Sequence, residues 1–241
     1  FFNKYNEDFG FQLDFFETQL NPQTVALIEA CEIVCVFVND KVNAIIISKL
    51  AKLGIKLIAL RCAGFNNVDL EAAKKLGLPV TNCPGVNQVS VAEHVLALLF
   101  TFEKNVHLQY QTTKSGSWKR YTGHEIEGRT IGIIGLGAIG KELAKKSNAL
   151  GMKVLAFDLF KNEEFLKQNP YVEFLSDLDG IFAQADIISM HVPHTPQTEF
   201  LINKEVVQNK LKKQPILINT SRGMLVDTDA VIEGLKSDEK S

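Results

Sequence analysis

"RTIGIIGLGAIGKELAKKSNALGMKVLAFD" (residues 129–158) decides the fold. An apolar run of strand length, "TIGII", meets three glycines spaced G-x-G-x-x-G at Gly135, Gly137 and Gly140. A segment of helical period follows, and a second apolar run, "KVLAF", ends on Asp158, 18 residues past Gly140. A glycine triplet alone is weak evidence. Between a strand and a helix it permits a tight turn, close approach of a pyrophosphate and close packing of helix on strand. The helix N-terminus then offers free N–H groups and a positive dipole end to phosphates. An acid at the end of the second strand accepts hydrogen bonds from ribose hydroxyls and repels a 2′-phosphate, so the expected cofactor is NAD rather than NADP. A plain glycine-rich turn, with Asp158 as a local cap, is the competing reading.

Outward from this unit the same alternation continues. Toward the C-terminus come a short strand at 172–175, a helix at 177–184, the strand "DIISMHVP" (186–193), a helix at 203–211, the strand "PILINTS" (215–221) and a helix starting near Asp227. Toward the N-terminus, "FQLDFF" (11–16), "IVCVFV" (33–38), "KLIALR" (56–61) and "LPVTN" (78–82) read as strands, with helical patterns at 22–30, 43–53 and 69–77. Gly54 and Gly77 stand where left-handed helix caps favour glycine. Strands alternating with helices imply parallel sheets covered on both faces. "NCPGVNQ" (82–88) breaks the pattern, one long apolar helix spans about 88–113, and "GSWKRYTGHEIEG" (116–128) fits neither element type and reads as an extended arm. The expectation is α/β: two doubly wound parallel-sheet domains, at 1–85 and 86–241.

Bulk properties exclude several classes. The 241 residues are 46% hydrophobic with a formal net charge of −2, so no electrostatic footprint favours nucleic acid, and the Lys210, Lys212, Lys213 cluster reads as a solvated helix end. No apolar stretch is long enough to span a bilayer and no signal peptide opens the chain, which points to a soluble cytoplasmic protein. Cys31, Cys35, Cys62 and Cys83 lack paired CxxC spacing, favouring reduced core thiols over a disulfide framework or a metal site.

Three further stretches carry chemistry. "HVPHTPQT" (191–198) leaves a strand at the edge where open α/β sheets bind ligands, which puts Val192 and Pro193 along the cofactor; His191 and His194 read more readily as strand-end hydrogen-bonding residues than as acid/base groups. "NTSRG" (219–223) sets Arg222 just past another strand, either as a planar cationic fork for a carboxylate or ketone or as a surface ion pair. "RCAGFNNVDL" (61–70) leaves the N–H groups of Ala63 and Gly64 unobstructed, a way to grip a carboxylate without a side chain, or else forms an ordinary βα loop.

Together "GLGAIG", Asp158, "HVPHTPQT", "NTSRGMLVDTDAV", "CAGFNNVDL" and "SVAEHVLALL" resemble the D-isomer-specific 2-hydroxyacid dehydrogenases, with "EDFGFQLDFFE", "VCVFVND" and "LIALRCAGFNNVDL" most similar to the fermentative D-lactate dehydrogenase branch. The resemblance implies a flavodoxin-like substrate domain and a Rossmann NAD-binding domain. It makes Arg222 the substrate-binding catalytic arginine and the backbone of Ala63 and Gly64 a substrate carboxylate site. Gly135, Gly137, Ala138, Ile139, Gly140, Asp158, Val192, Pro193, Thr220 and Arg222 become cofactor contacts. It also implies hydride transfer between the nicotinamide and C2 of a small 2-oxo acid, pyruvate above all, and a homodimer formed through the NAD-binding domain, its long helix and the arm.

Two departures stand out. Val86 replaces the tyrosine usual in the lactate branch, and "PGVNQVSVAEH" is closer to glycerate-type relatives. The family's proton-donating histidine and its glutamate lie downstream of "SRG", and its first strand precedes anything like "FFNKYN". The expectation is therefore a chain trimmed at both ends, with both domains incomplete, that binds NADH and turns over little. A glycerate- or phosphoglycerate-type dehydrogenase and a non-catalytic NAD-binding regulator are the alternatives.

Overall fold

The structure, a computed structural model, describes residues 2–211 and 214–238, so Lys212 and Lys213 lie outside the described residues. The chain divides into two units, Phe1–Val86 and Asn87–Ser241.

The first unit runs α1 (Phe2–Asn6), a 3-10 turn (Val25–Ile28), β1 (Ile33–Val36), α2 (Ala44–Lys52), β2 (Leu57–Leu60), α3 (Leu70–Lys75) and β3 (Val80–Thr81). The three strands form a parallel sheet in the order β1-β2-β3. Helix starts follow side-chain caps: Asn43 accepts the Ile46 N–H at 3.1 Å and Asp69 accepts that of Ala72 at 2.9 Å. The chain leaves α2 and α3 through Gly54 and Gly77, at φ +79° and +65°. Val34, Val36, Ile58 and Leu60 point inward onto Ile46, Ile47 and Leu50 of α2. Each such fully buried aliphatic side chain is worth about 1.5–3 kcal/mol.

Residues 11–16 form no strand. Phe11, Phe15 and Phe16 are all exposed, and an apolar run with no edge to pair with gains nothing from extension. The 22–30 pattern yields only the 3-10 turn. The expected two-sided cover of this sheet is also incomplete: Ile33 and Cys35 alternate outward from the buried positions of β1. Of the four thiols, all free, only Cys62 is buried; Cys35 and Cys83 are exposed and Cys31 is half-buried, so the reading of all four as core thiols does not hold.

The second unit opens with α4 (Gln88–Glu103) and α5 (Val106–Lys114). The single long helix read from the sequence is broken at Asn105, which adopts a left-handed φ of 53° and donates its side-chain amide to the Thr122 carbonyl at 2.9 Å. An irregular arm follows. Then come β4 (Thr130–Ile134), α6 (Ala138–Ala149), β5 (Lys153–Phe157), α7 (Glu163–Gln168), β6 (Val172–Phe174), α8 (Leu178–Gln184), β7 (Ile187–Met190), a π-helical turn (Val206–Lys210), β8 (Ile216–Asn219) and α9 (Thr228–Asp238). Helix α7 had no counterpart in the sequence reading; Asn162 caps it by accepting the Phe165 N–H at 2.9 Å.

The five strands are parallel, in the order β6-β5-β4-β7-β8. The chain builds outward from β4 to β6, then crosses back to the other side of β4, which makes the carboxyl end of β4 the switch point where such sheets bind ligands. Ile131, Ile133 and Ile187 face α4 and α6, whereas Ile134, Ile188 and Met190 face α8. Gly132 lets α8 lie close, since a methyl group there would fall 2.5 Å from Cγ2 of Ile181. At the far end of α4 the carboxylate of Glu103, 3% exposed, pairs with Arg129 and with His124 at 3.2 Å, tying the arm to the helix. Among the described residues no helix is long and apolar enough to cross a membrane.

Candidate active site

The glycine turn closes the end of β4. Gly135 has a φ of +100°, and a Cβ there would sit 2.8 Å from both C and O of His191 and 3.0 Å from Cγ1 of Val192. Its N–H donates to the Phe157 carbonyl at 2.8 Å, so the turn is wedged between the ends of β5 and β7. At Gly140 a Cβ would lie 2.1 Å from the Gly135 carbonyl oxygen, so only glycine lets α6 start this close to β4. Gly137 differs. A Cβ there meets nothing within 4 Å, so its missing side chain leaves room on the solvent side, not the protein side.

Gly137 is the N-cap of α6 without a side-chain cap. The first i to i−4 bond of the helix is Lys141 N–H to the Gly137 carbonyl, 3.0 Å, and the N–H groups of Ala138, Ile139 and Gly140 precede it. Open space above Gly137 and uncapped amides at a helix N-terminus fit an incoming pyrophosphate.

Asp158, half-exposed just past β5, accepts the Leu136 N–H on Oδ2 at 2.7 Å and the Phe160 N–H on Oδ1 at 3.0 Å. It is thus both the local cap and the acid at the second strand end. Its two bonds orient the carboxylate, and each oxygen retains acceptor capacity for a ribose hydroxyl. Leu136 was not among the residues singled out in the sequence, because its role is carried by a backbone N–H and any residue supplies one.

Across the switch point, β7 ends on Met190 and β8 on Asn219, with His191 and Thr220 immediately beyond them. The register pairs Met190 with Asn219 as the last residues of the two strands. His191 Nε2 lies 2.9 Å from Oγ of the fully buried Ser189, while its Nδ1 is buried with no hydrogen-bond partner among the described residues. Burial pulls its pKa down to about 4, so the ring is neutral at neutral pH. Oγ1 of Thr220 is buried and equally unpartnered. Val192 packs on the core beside α8, Pro193 is exposed, and the loop beyond is closed by Thr198, whose hydroxyl donates to the Pro193 carbonyl at 2.7 Å and accepts the Thr195 N–H at 2.8 Å. His194 Nε2 stands 3.8 Å from Oε1 of Glu199.

Arg222 is exposed, but its backbone is fixed. Asn219 donates Nδ2 to the Arg222 carbonyl at 2.8 Å and accepts the Ser221 N–H at 3.0 Å, and Ser221 donates Oγ to the Met190 carbonyl at 2.8 Å. The guanidinium donates to the Ser221 carbonyl at 3.0 Å. Asn219 and Ser221, not selected from the sequence, therefore set where Arg222 emerges; short polar side chains flanking an arginine at a strand end are the signal that could have found them.

The structure brings Gly135, Gly137, Ala138, Ile139, Gly140, Asp158, Val192, Pro193, Thr220 and Arg222 to one edge of one sheet. Ala63 and Gly64 belong to the first unit. There, Asn82 donates Nδ2 to the Ala63 carbonyl at 2.8 Å and the Cys62 thiol donates to the Gly64 carbonyl at 3.3 Å. Both carbonyls are engaged by protein, and neither N–H has a partner among the described residues. A cleft of about 610 Å³ lies at the amino-end side of the second sheet, lined by Thr130, Lys153, Tyr171 and Gln184, away from the glycine turn, Asp158 and Arg222.

Residues 96–241 match the family described as D-isomer specific 2-hydroxyacid dehydrogenase, NAD binding domain. A 2-hydroxyacid dehydrogenase homolog of Haemophilus influenzae is 42% identical over 237 residues, covering 96% of this chain and 69% of its own length. The apo-structure of D-lactate dehydrogenase from Escherichia coli superposes with a TM-score of 0.89 at 40% identity, covering 98% of this chain and 74% of that one. D-lactate dehydrogenase from Aquifex aeolicus, solved with NAD and lactic acid, gives a TM-score of 0.82 at 33% identity, covering 98% and 70%.

Proposed function

The chain belongs to the D-isomer-specific 2-hydroxyacid dehydrogenases, NAD-dependent oxidoreductases, and on that premise we propose that its substrate is a small 2-oxo acid, pyruvate first, reduced to the D-2-hydroxy acid. The observation that carries this reading is the fixing of Arg222 at the end of β8, on the same sheet edge as the glycine turn and Asp158. A permanently charged planar fork there suits an α-keto acid, polarising the ketone through charge-assisted hydrogen bonds. In the first unit the free N–H groups of Ala63 and Gly64 take the substrate carboxylate. When bound, the cofactor supplies or accepts the hydride, and the protein's part is position and charge.

The glycine turn and the α6 N-terminus hold the pyrophosphate, and Asp158 holds the adenosine ribose. Residues 1–86 serve as the substrate domain and 87–241 as the NAD-binding domain. A homodimer through the second domain is part of this reading, because Val89, Leu98, Phe102, Val106, Tyr110 and Trp118 are exposed along α4, α5 and the arm. A cytoplasmic location goes with it.

Ketone reduction needs a general acid worth about 10²–10⁴ in rate, a step that the family resemblance assigns to a histidine oriented by a glutamate. A glycerate-type preference is the second reading, favoured by Val86, which is 68% exposed where the lactate branch carries tyrosine.

One cuvette tests these points. NADH is titrated into the chain by nicotinamide fluorescence, then pyruvate or hydroxypyruvate is added. Saturable binding followed by oxidation, faster with pyruvate, is expected. Faster oxidation with hydroxypyruvate selects the glycerate-type reading, and absence of saturable NADH binding overturns both.

A further inference from the structure

At the C-terminal end of α4 one carboxylate is half satisfied. Glu103 is the last residue of that helix and is 3% exposed, and its Oε1 accepts from the Arg129 guanidinium. Its other oxygen, Oε2, is buried and accepts no hydrogen bond among the described residues. A buried carboxylate oxygen left in that state is costly, so it favours any donor brought within reach. Nδ1 of His124, in the arm, stands 3.2 Å from it.

His124 meets this helix end twice. Its N–H donates to the Glu103 carbonyl at 3.0 Å, and its ring faces the Glu103 carboxylate. The two residues before it make the seat close. A Cβ on Gly123 would fall 2.4 Å from the Glu103 carbonyl oxygen and 3.1 Å from Cα of Lys104, so only glycine lets the arm run against the helix here. The Thr122 carbonyl accepts from the side chain of Asn105. Backbone bonds thus set the path of the arm, and the contact between imidazole and carboxylate is the part that a proton changes.

Charge decides the direction of that change. A neutral imidazole offers Oε2 a proton in only one of its two tautomers; an imidazolium always donates from Nδ1 and sets a positive charge against the carboxylate and the negative end of the α4 dipole. The surrounding charges do not compete for it. Lys104 and Glu125 are exposed, Glu127 packs on Gly151, and His107 of α5 turns its Nδ1 to the Thr101 carbonyl at 3.3 Å. The His124 side chain is 79% exposed, so its proton comes directly from solvent.

We propose that His124 and Glu103 form a proton-operated latch: as the pH falls through the ordinary histidine range, about 6.5, it draws the arm at 116–128 onto the end of α4.

The chain carries its own reporter, because Trp118 is its one tryptophan, lies in the arm and is 92% exposed. Tryptophan anisotropy of the full chain is followed from about pH 8 to pH 5 at several protein concentrations, with urea melts at each end of the range. Anisotropy should rise on acidification, the ratio of held to released arm growing about fivefold, the scale of a partly exposed ion pair. His124→Asn keeps a polar group at the Nδ1 position without a charge, and the rise should vanish. His107→Gln, which removes the other imidazole near this helix end, should titrate like the unaltered chain. Both positions are exposed, so neither variant disturbs a core. A flat profile in the unaltered chain, a rise that persists in His124→Asn, or one that is lost in His107→Gln overturns the proposal. So does a rise that scales with protein concentration, which assigns the titration to assembly of chains and not to the latch.

Discussion

The glycine turn yields the sharpest prediction, because its glycines are empty for opposite reasons. Gly140→Ala would put a methyl carbon 2.1 Å from the Gly135 carbonyl oxygen, a backbone atom with no freedom to swing away. Relief to the 3.0 Å that real Cβ contacts respect moves the start of α6 by about 0.9 Å. Overpacking of this kind costs about 1–3 kcal/mol, or roughly 2–12 °C of melting temperature in a unit of this size. The same displacement carries the Ala138 and Ile139 amides out of range of a pyrophosphate oxygen, since a bond of about 2.9 Å becomes about 3.8 Å. Loss of a hydrogen bond to a charged group weakens NADH about 10- to 100-fold. Gly137→Ala meets nothing within 4 Å and has a φ of −74°, so the fold should not register it, yet the methyl stands where the cofactor passes. Thermal melting and NADH titration of both variants form the assay. The expected result is loss of stability and affinity in Gly140→Ala and loss of affinity alone in Gly137→Ala. Full NADH affinity in Gly137→Ala would refute the placement of the pyrophosphate over that residue.

Asp158→Ser, which removes the charge but keeps an acceptor, should lower the preference for NADH over NADPH at least tenfold in competitive titration. Arg222→Lys retains charge without the fork, so pyruvate kcat/KM should fall by about 10- to 100-fold, a larger change than in the NADH constant, as steady-state kinetics will show. His191 titrates near 4 when folded against an unfolded value near 6.5, so the unfolded chain binds the extra proton first. Its contribution to stability is complete above about pH 6.5, falls as the pH drops, and is exhausted near pH 4; urea melts across that window should flatten in His191→Asn. Glu103→Gln leaves Arg129 without its buried carboxylate and should cost about 3 kcal/mol by urea denaturation.

What was legible depended on whether a residue's role is written in its neighbours along the chain. The βα series of the second unit could be read because its central strands β4, β5 and β7 are buried on both faces, giving unbroken apolar runs, and because glycine turn, helix and acid follow one another within thirty residues. The run 11–16 had the same apolar look and formed nothing, since a strand needs a partner edge and composition does not announce one. The break at Asn105 was hidden because it rests on a bond to Thr122, 17 residues away, and the Glu103–Arg129 pair spans 26. His191 lies between these extremes. The sequence offered two histidines in "HVPH" with no ground to prefer either; the spacing of Ser189 and His191, two apart on a strand and so on one face, was the available sign that the first is held inside the sheet edge. His191 Nε2 is anchored to Ser189, whereas His194 Nε2 is buried without a hydrogen-bond partner among the described residues, 3.8 Å from Oε1 of Glu199.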